Sequence, residues 1–319
     1  MPYDIAVNIT DAQYSGEYYQ KKKHPLDIPS VMTRAKAAGV HMLFLGLSLQ
    51  SSIESIYLSN VFKEHASIGV HPGSTLQCTD GDVEQIADIL QKKSISKYRS
   101  LIREEIRELS EGATLEDREA GLYAAAPIAI GEVGLDYFRE YSTKSQQKKV
   151  FRQMMDLSLG SSLPYIFHYR ECERDFLEIT SDYSVSGVVH SFTGMPEEMH
   201  ALIRKNYYIG INGASIRENE LTSVIEELPL EKLLVETDSP YCAIKKTSQY
   251  YPYTKEYLPQ TKSWTPATGV KGRNEPANLF QVLDVISEIK NIPKNELINI
   301  TNKNWSSLFG RPPHSPSNN

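Results

Sequence analysis

The sequence predicts an α/β fold, a closed TIM-type (β/α)8 barrel, and three observations predict it. Eight short apolar runs rich in β-branched residues recur along the chain, and most are followed by a segment whose apolar residues fall three or four apart. Near-continuous apolar strands alternating with amphipathic helices mean a parallel sheet covered on both faces. The length, 319 residues, lies within the range of one such barrel, so a second domain is not required. An open doubly wound sheet is the competing arrangement, but no Gly-rich phosphate fingerprint follows the first strand.

Taken in order, residues 5–9 open the barrel and 28–38 form the first crossover helix. Strands at 42–47 and 67–70 flank a helix at 51–61. Residues 83–109 read as an extended third helix, solvated and chemically idle, because 92–120 carries Arg103, Glu104, Glu105, Arg107 and Glu108. Strands follow at 127–130, 164–167, 187–189, 207–211 and 232–235, with helices at 144–160, 174–180, 197–205 and 221–227 between them. After the eighth strand, 239–272 is a long link with four prolines and five of the 19 tyrosines, too long to be idle. Helices at 276–290 and 294–309 close the barrel domain, which spans 1–310, and 311–319 reads as a disordered tail.

Composition narrows the function classes. Hydrophobic residues at 40% and charged residues at 23% are ordinary globular usage, which excludes collagen-like, coiled-coil and disordered chains. A net charge of −6 argues against non-specific coating of nucleic acid, though not against a local basic groove. Cys78, Cys172 and Cys242 are spaced for neither a disulfide framework nor a thiolate zinc cluster, so a reducing compartment is expected. The N-terminal Met-Pro-Tyr-Asp lacks a basic segment with an apolar stretch behind it. A soluble, unsecreted protein of the cytoplasm or nucleus, with no membrane contact, is expected.

The apolar runs stop at polar residues of one kind. Ala129-Ile130-Gly131 ends in Glu132, Tyr165-Ile166-Phe167 in His168, Val188-Val189 in His190, and Leu234-Val235 in Glu236-Thr237-Asp238. In a barrel the C-terminal strand ends converge on one face, so these residues meet in one cavity. Two imidazoles with two or three carboxylates suit a borderline or hard divalent ion, and the lack of cysteine ligands argues against a structural zinc. A lone histidine at a strand end is more often a hydrogen-bonded core residue; together with Glu132 and Asp238 the balance reverses. Glu236 is balanced between a salt bridge and a ligand role and stays outside the ligand set.

Six segments resemble the signatures of the TatD family of metal-dependent deoxyribonucleases, in its eukaryotic TatD-like branch. They are Gly69-Val70-His71-Pro72, the run from Ile130 to Asp136, Phe167-His168-Tyr169-Arg170, the run from Val189 to Gly194, the run from Glu236 to Tyr241, and Arg273-Asn274-Glu275-Pro276. The resemblance covers nearly the whole chain. It implies an amidohydrolase-type barrel and Mg2+- or Mn2+-dependent hydrolysis of DNA phosphodiesters, often 3′ to 5′ on single-stranded ends. Zn2+ stays open, as does the number of ions, one or two. Many relatives carry a His-x-His pair on the first strand where this chain has Ala6-Val7-Asn8, which weakens one metal position and narrows the subfamily.

The roles that follow are Glu132 as shared ligand, His168 and His190 as ligands, and Asp238 as ligand or as the base orienting the attacking water. His71, Arg170 and Arg273 are candidates for the scissile phosphate, against a turn histidine before Pro72 and a salt bridge from Arg273 to Glu275. Tyr250, Tyr251 and Tyr253 with Lys245 and Lys246 form a candidate single-strand platform, against rings that merely pack the loop. Two other classes stay open: a small-molecule ester, lactone or amide hydrolase using the same ligands, and a barrel that has lost turnover.

Overall fold

The computed structural model describes residues 1–110, 121–124, 126–216 and 219–310. Eight strands, β1 (Tyr3–Val7), β2 (His41–Phe44), β3 (His65–Ile68), β4 (Ala129–Asp136), β5 (Tyr165–Arg170), β6 (Gly187–Val189), β7 (Tyr208–Ile211) and β8 (Leu233–Val235), pair in parallel in sequence order. Val7 bridges Ser239 just beyond β8, and Asn8 N donates to Ser239 O at 2.8 Å, which joins the two edges. The protein is a TIM barrel.

Alternation along the strands, broken in β1 by a register shift between Asp4 and Val7, divides the apolar residues into two populations. Ile5, Leu43, Ala129, Ile166, Val188 and Leu234 plug the barrel interior. Val7, Phe44, Ile68, Ile130, Phe167, Val189 and Val235 face outward into a larger shell shared with the helices. Those helices are α1 (Ile28–Ala38), α2 (Leu49–Phe62), α3 (Asp80–Lys92), α4 (Glu104–Arg107), α5 (Lys144–Asp156), α6 (Glu173–Ser181), α7 (Pro196–Arg204), α8 (Asn219–Glu227), α9 (Leu279–Lys290) and α10 (Lys294–Phe309). From α10, Trp305 stacks on Tyr3 with ring centroids 4.4 Å apart and seals the bottom of the plug.

Two expectations are corrected. The third helix is not continuous to residue 109: it ends at Lys92, Lys93 turns left-handed, and the chain proceeds through a 3₁₀ turn (Ser96–Leu101) and the single turn of α4. Ile95, Tyr98, Ile102 and Ile106 are buried, so helical spacing is met by successive short turns that fold back on α2. Nor is the charged stretch uniformly solvated, because Arg103 reaches back to the buried Glu54 at 2.9–3.1 Å. The strands carrying His168 and Glu132 also run further than expected: β4 continues to Asp136 and β5 to Arg170. The expected tail, 311–319, lies outside the described residues.

Candidate functional site

The plug positions the site. Two residues beyond Ile166, Val188 and Leu234, on the same inward face, stand His168, His190 and Glu236. In β4 the pairing with β5 slips between Gly131 and Val133, leaving Glu132 as the extra residue of a bulge. The slip turns the Glu132 side chain into the mouth, while its N–H goes to Gly46 O at 2.8 Å. Gly131 is required here: φ is 153° and a Cβ would lie 2.5 Å from Ile166 O.

A single oxygen, Glu132 Oε1, is faced by His168 Nδ1 at 2.5 Å, His190 Nε2 at 2.6 Å and His71 Nε2 at 3.4 Å. Burial alone would raise the Glu132 carboxyl, but the charges of His190 and His71 and hydrogen bonds from His168 and His190 hold it well below the usual range. His190 is driven up despite burial by Glu132 and Glu236, and His168 by its bonds to Asp136 and Glu132. Convergent imidazoles and carboxylates held so tightly around one point are a donor set that fits a divalent cation.

Outer carboxylates select which ring nitrogens face inward. His168 Nε2 lies 3.1 Å from Asp136 Oδ2, and His190 Nδ1 lies 3.5 Å from Glu236 Oε1. With a cation taking the place of the protons shared with Glu132, protons kept on those outer nitrogens would leave the lone pairs of His168 Nδ1 and His190 Nε2 to face it. Glu236, balanced in the sequence between two roles, sits behind His190 and accepts from Ser191 N (2.7 Å) and Asn212 Nδ2 (2.8 Å). Sequence reasoning missed Asp136 and Asn212. The alternation Glu132-Val133-Gly134-Leu135-Asp136 was the available signal for the first, since it places both carboxylates on one face; the second lies beyond β7 with no local pattern.

His71 differs from the other two. Its Nδ1 accepts from Gly73 N at 2.9 Å, so in the neutral ring the proton is on Nε2, facing Glu132. Burial, against the pull of Glu132 and with the like charges of His168 and His190, pushes it down to about 4. It is therefore a neutral hydrogen-bond donor at pH 7, even though its nitrogen lies within metal-cluster distance of Glu132 and His168. Asp238, left-handed at φ 51°, receives Asn8 Nδ2 on Oδ1 at 2.9 Å and the Cys242 thiol on Oδ2 at 3.2 Å. Burial, with Glu132 and Glu236 nearby and His190 opposing, pushes Asp238 up to about 6. Asn8 thus occupies the first-strand position with an amide that orients Asp238.

The cavity above this cluster, about 1540 Å3, is lined by Arg170, Tyr251, Lys245 and Lys246 among others. Arg170 leaves the end of β5, bonds Thr193 Oγ1 at 2.7 Å and faces the opening. Arg273 is a correction. It is 1% exposed, bonds both Asp27 oxygens (3.0 and 2.7 Å) and Glu275 (2.8 Å), and supports Gln13 O at 3.1 Å, so both Nη groups are spent within the fold and only the buried Nε is left without a partner. The ring platform is corrected in part: the Tyr250 hydroxyl pairs with Thr222 and its ring packs on the apolar shell. Tyr253 lies beside Tyr250, centroids 6.3 Å apart, and is half exposed outside the cavity lining.

The chain is similar to known proteins along nearly its whole length. The profile of the family described as TatD related DNase matches residues 3–310. Deoxyribonuclease Tat-D of Schizosaccharomyces pombe is 33% identical over 306 residues, covering 92% of this chain and 91% of that one. The 3′-5′ ssDNA/RNA exonuclease TatD of Edwardsiella piscicida is 26% identical over 315 residues, covering 96% and 98%. A crystal structure of a TatD family hydrolase from Entamoeba histolytica superposes with a TM-score of 0.80 at 30% identity, covering 97% and 98%.

Proposed function

This chain belongs to the TatD related DNase family, and from that membership we propose that it hydrolyses DNA phosphodiester bonds with a divalent metal, releasing nucleotides from single-stranded 3′ ends. The convergence of His168 and His190 on Glu132 Oε1 carries the reading. Glu132, His168, His190 and Asp238 would hold the ion, Mg2+ or Mn2+ in preference to Zn2+, one or two in number; when bound, it neutralises phosphoryl oxygens and lowers the pKa of the attacking water. Asp238 Oδ1 is engaged by Asn8, and Oδ2, which carries only the weak thiol contact of Cys242, would receive the water's proton as oxygen attacks phosphorus and the P–O bond to the leaving group breaks, the departing oxygen taking a proton from solvent. His71 Nε2–H donates a hydrogen bond to the phosphate or departing oxygen. It keeps its proton, because loss would leave an imidazolate. Arg170 grips a non-bridging oxygen from the rim.

No helix among the described residues is long and apolar enough to cross a membrane. Three single cysteines fit action in the cytoplasm or nucleus. The test is an end-labelled single-stranded oligonucleotide with Mn2+. Stepwise 3′ shortening by the wild type, lost in Glu132→Gln, is the expected result. Hydrolysis persisting in that variant overturns the assignment, and turnover of esters or lactones without cleavage of DNA replaces it with a small-molecule hydrolase.

A further inference from the structure

Two aromatic rings in the cavity wall are turned mostly to water. Tyr19 caps a short antiparallel ribbon, Glu17–Tyr18 against Lys21–Lys22, is 98% exposed, and makes no side-chain hydrogen bond among the described residues. Both turn residues are left-handed, Tyr19 at φ 50° and Gln20 at φ 62°, a turn usually made by Asn and Gly. A bulky ring is sterically disfavoured there. The ribbon's base enforces it: Lys23 N donates to Gly16 O at 2.7 Å, Tyr18 OH pairs with His24 Nε2 at 3.2 Å, and the buried Arg273 reaches Tyr18 OH at 3.5 Å. A rigid base holding a strained, water-facing tyrosine over a catalytic cavity is an outlier that points to use.

The second ring is Phe138, 57% exposed on the loop after β4. Its backbone N–H donates to Asp136 Oδ1 at 3.0 Å, while Asp136 Oδ2 pairs with His168, so the backbone that carries the ring is tied to the cluster. The Arg170 guanidinium lies 4.8 Å from the Phe138 ring centre. The loops after β1 and β4 are three strands apart around the barrel, so the two rings stand on different walls of one cavity.

We propose that Tyr19 and Phe138 stack on bases of a single-stranded nucleic acid and hold it on two sides of the Glu132 cluster. The proposal rests on the nuclease reading above. The water-facing ring of Tyr19, and the face of Phe138 away from Arg170, can each take a flat π surface, and every base offers one. Arg170 against Phe138 places a cation where the phosphate joined to a stacked base would lie. A docked protein would call for a continuous apolar patch, whereas these rings are separated by the charged cluster.

The test measures Kd for a hydrolysis-resistant phosphorothioate oligonucleotide with Mn2+, and KM and kcat for a cleavable one. Tyr19→Ala and Phe138→Ala should each raise Kd and KM about 5- to 150-fold, with a far smaller change in kcat. Tyr19→Phe and Phe138→Tyr should restore wild-type values, and Leu159→Ala, exposed on the surface outside the cavity, should not move them. Strands with an abasic site opposite a ring should erase the difference between wild type and that ring's alanine variant. Wild-type Kd and KM in folded alanine variants overturn the proposal alone. Equal losses on natural and abasic strands also overturn it. A wild type that neither binds nor cleaves nucleic acid overturns the functional reading and the stacking with it; binding of a protein at these rings instead does the same to the stacking.

Discussion

Glu132 Oε1 is the point on which three imidazoles meet, so charge at that atom governs the site. Glu132→Gln keeps the shape and removes the charge, and calorimetry should show Mn2+ binding lost; unchanged affinity and stoichiometry would remove Glu132 from the ligand set. His168→Ala and His190→Ala should abolish turnover while circular dichroism stays native, because both lie above the apolar plug. The proton equilibria act in one direction. His168 and His190 are raised and Asp238 stands at about 6, so each gives up a proton more readily as pH rises, and Mn2+ affinity should climb from pH 5 to 8 with net proton release. Calorimetry in buffers of different ionisation enthalpy reads the protons; affinity flat across this range contradicts it. Beneath the site, burial pushes Asp4 up to about 8 against hydrogen bonds from Thr237 and Ala6. Thr237 Oγ1 donates to Oδ2 at 2.5 Å, while Oδ1 accepts from Thr237 N and Ala6 N. The unfolded chain loses this proton near 4 and the folded one keeps it to about 8, so the contribution of Asp4 to stability falls between those values and levels above. Asp4→Asn should flatten the decline in melting temperature from pH 6 to 8.

Loops and element ends separate two arginines that look alike in sequence. Arg170 continues β5 into the cavity, whereas Arg273 follows the long link into a buried network with Asp27, Glu275 and Arg34. Removing one member of a buried charge network typically costs about 3–5 kcal/mol. Arg273→Ala should therefore lower the melting temperature strongly, while Arg170→Ala should leave it near wild type and raise KM for DNA. The reverse pattern would restore Arg273 as a phosphate contact. Sequence proximity to Glu275 gave the hint of a salt bridge, but Asp27, from the other end of the chain, was invisible to local pattern. The third helix failed similarly: Val83, Ile86, Ile89 and then Ile95, Tyr98, Ile102 and Ile106 keep near-helical spacing through a real break at Lys93. By contrast His168 and His190 were legible because alternation from a buried apolar residue dictates where the next inward side chain stands, while Glu236 was left open between two roles. Glu132 obeys that rule only through a bulge, which apolar patterning does not mark.

Across the whole molecule the barrel was readable because eight apolar runs separated by helical segments leave few alternatives for a parallel sheet. What resisted reading was the pair of residues that closes it, since nothing in the first strand announces the residue it will meet. That contact sets a timetable. Asn8 bonds Asp238 and Ser239 across some 230 positions, and Val7 bridges Ser239. Loop closure of this span is entropically late, and contacts so distant in sequence slow folding. A ribosome must deliver about three quarters of the chain before Asp238 exists for Asn8 to orient, and α10, whose Trp305 stacks on Tyr3, comes later still. Helices and neighbouring strands can assemble earlier, so in refolding the far-ultraviolet signal should recover before Mn2+ uptake. Asn8→Ala, which removes the side-chain bonds to Asp238 and Ser239, should widen that lag. Simultaneous recovery of both signals would mean that the first and last strands find each other at the outset.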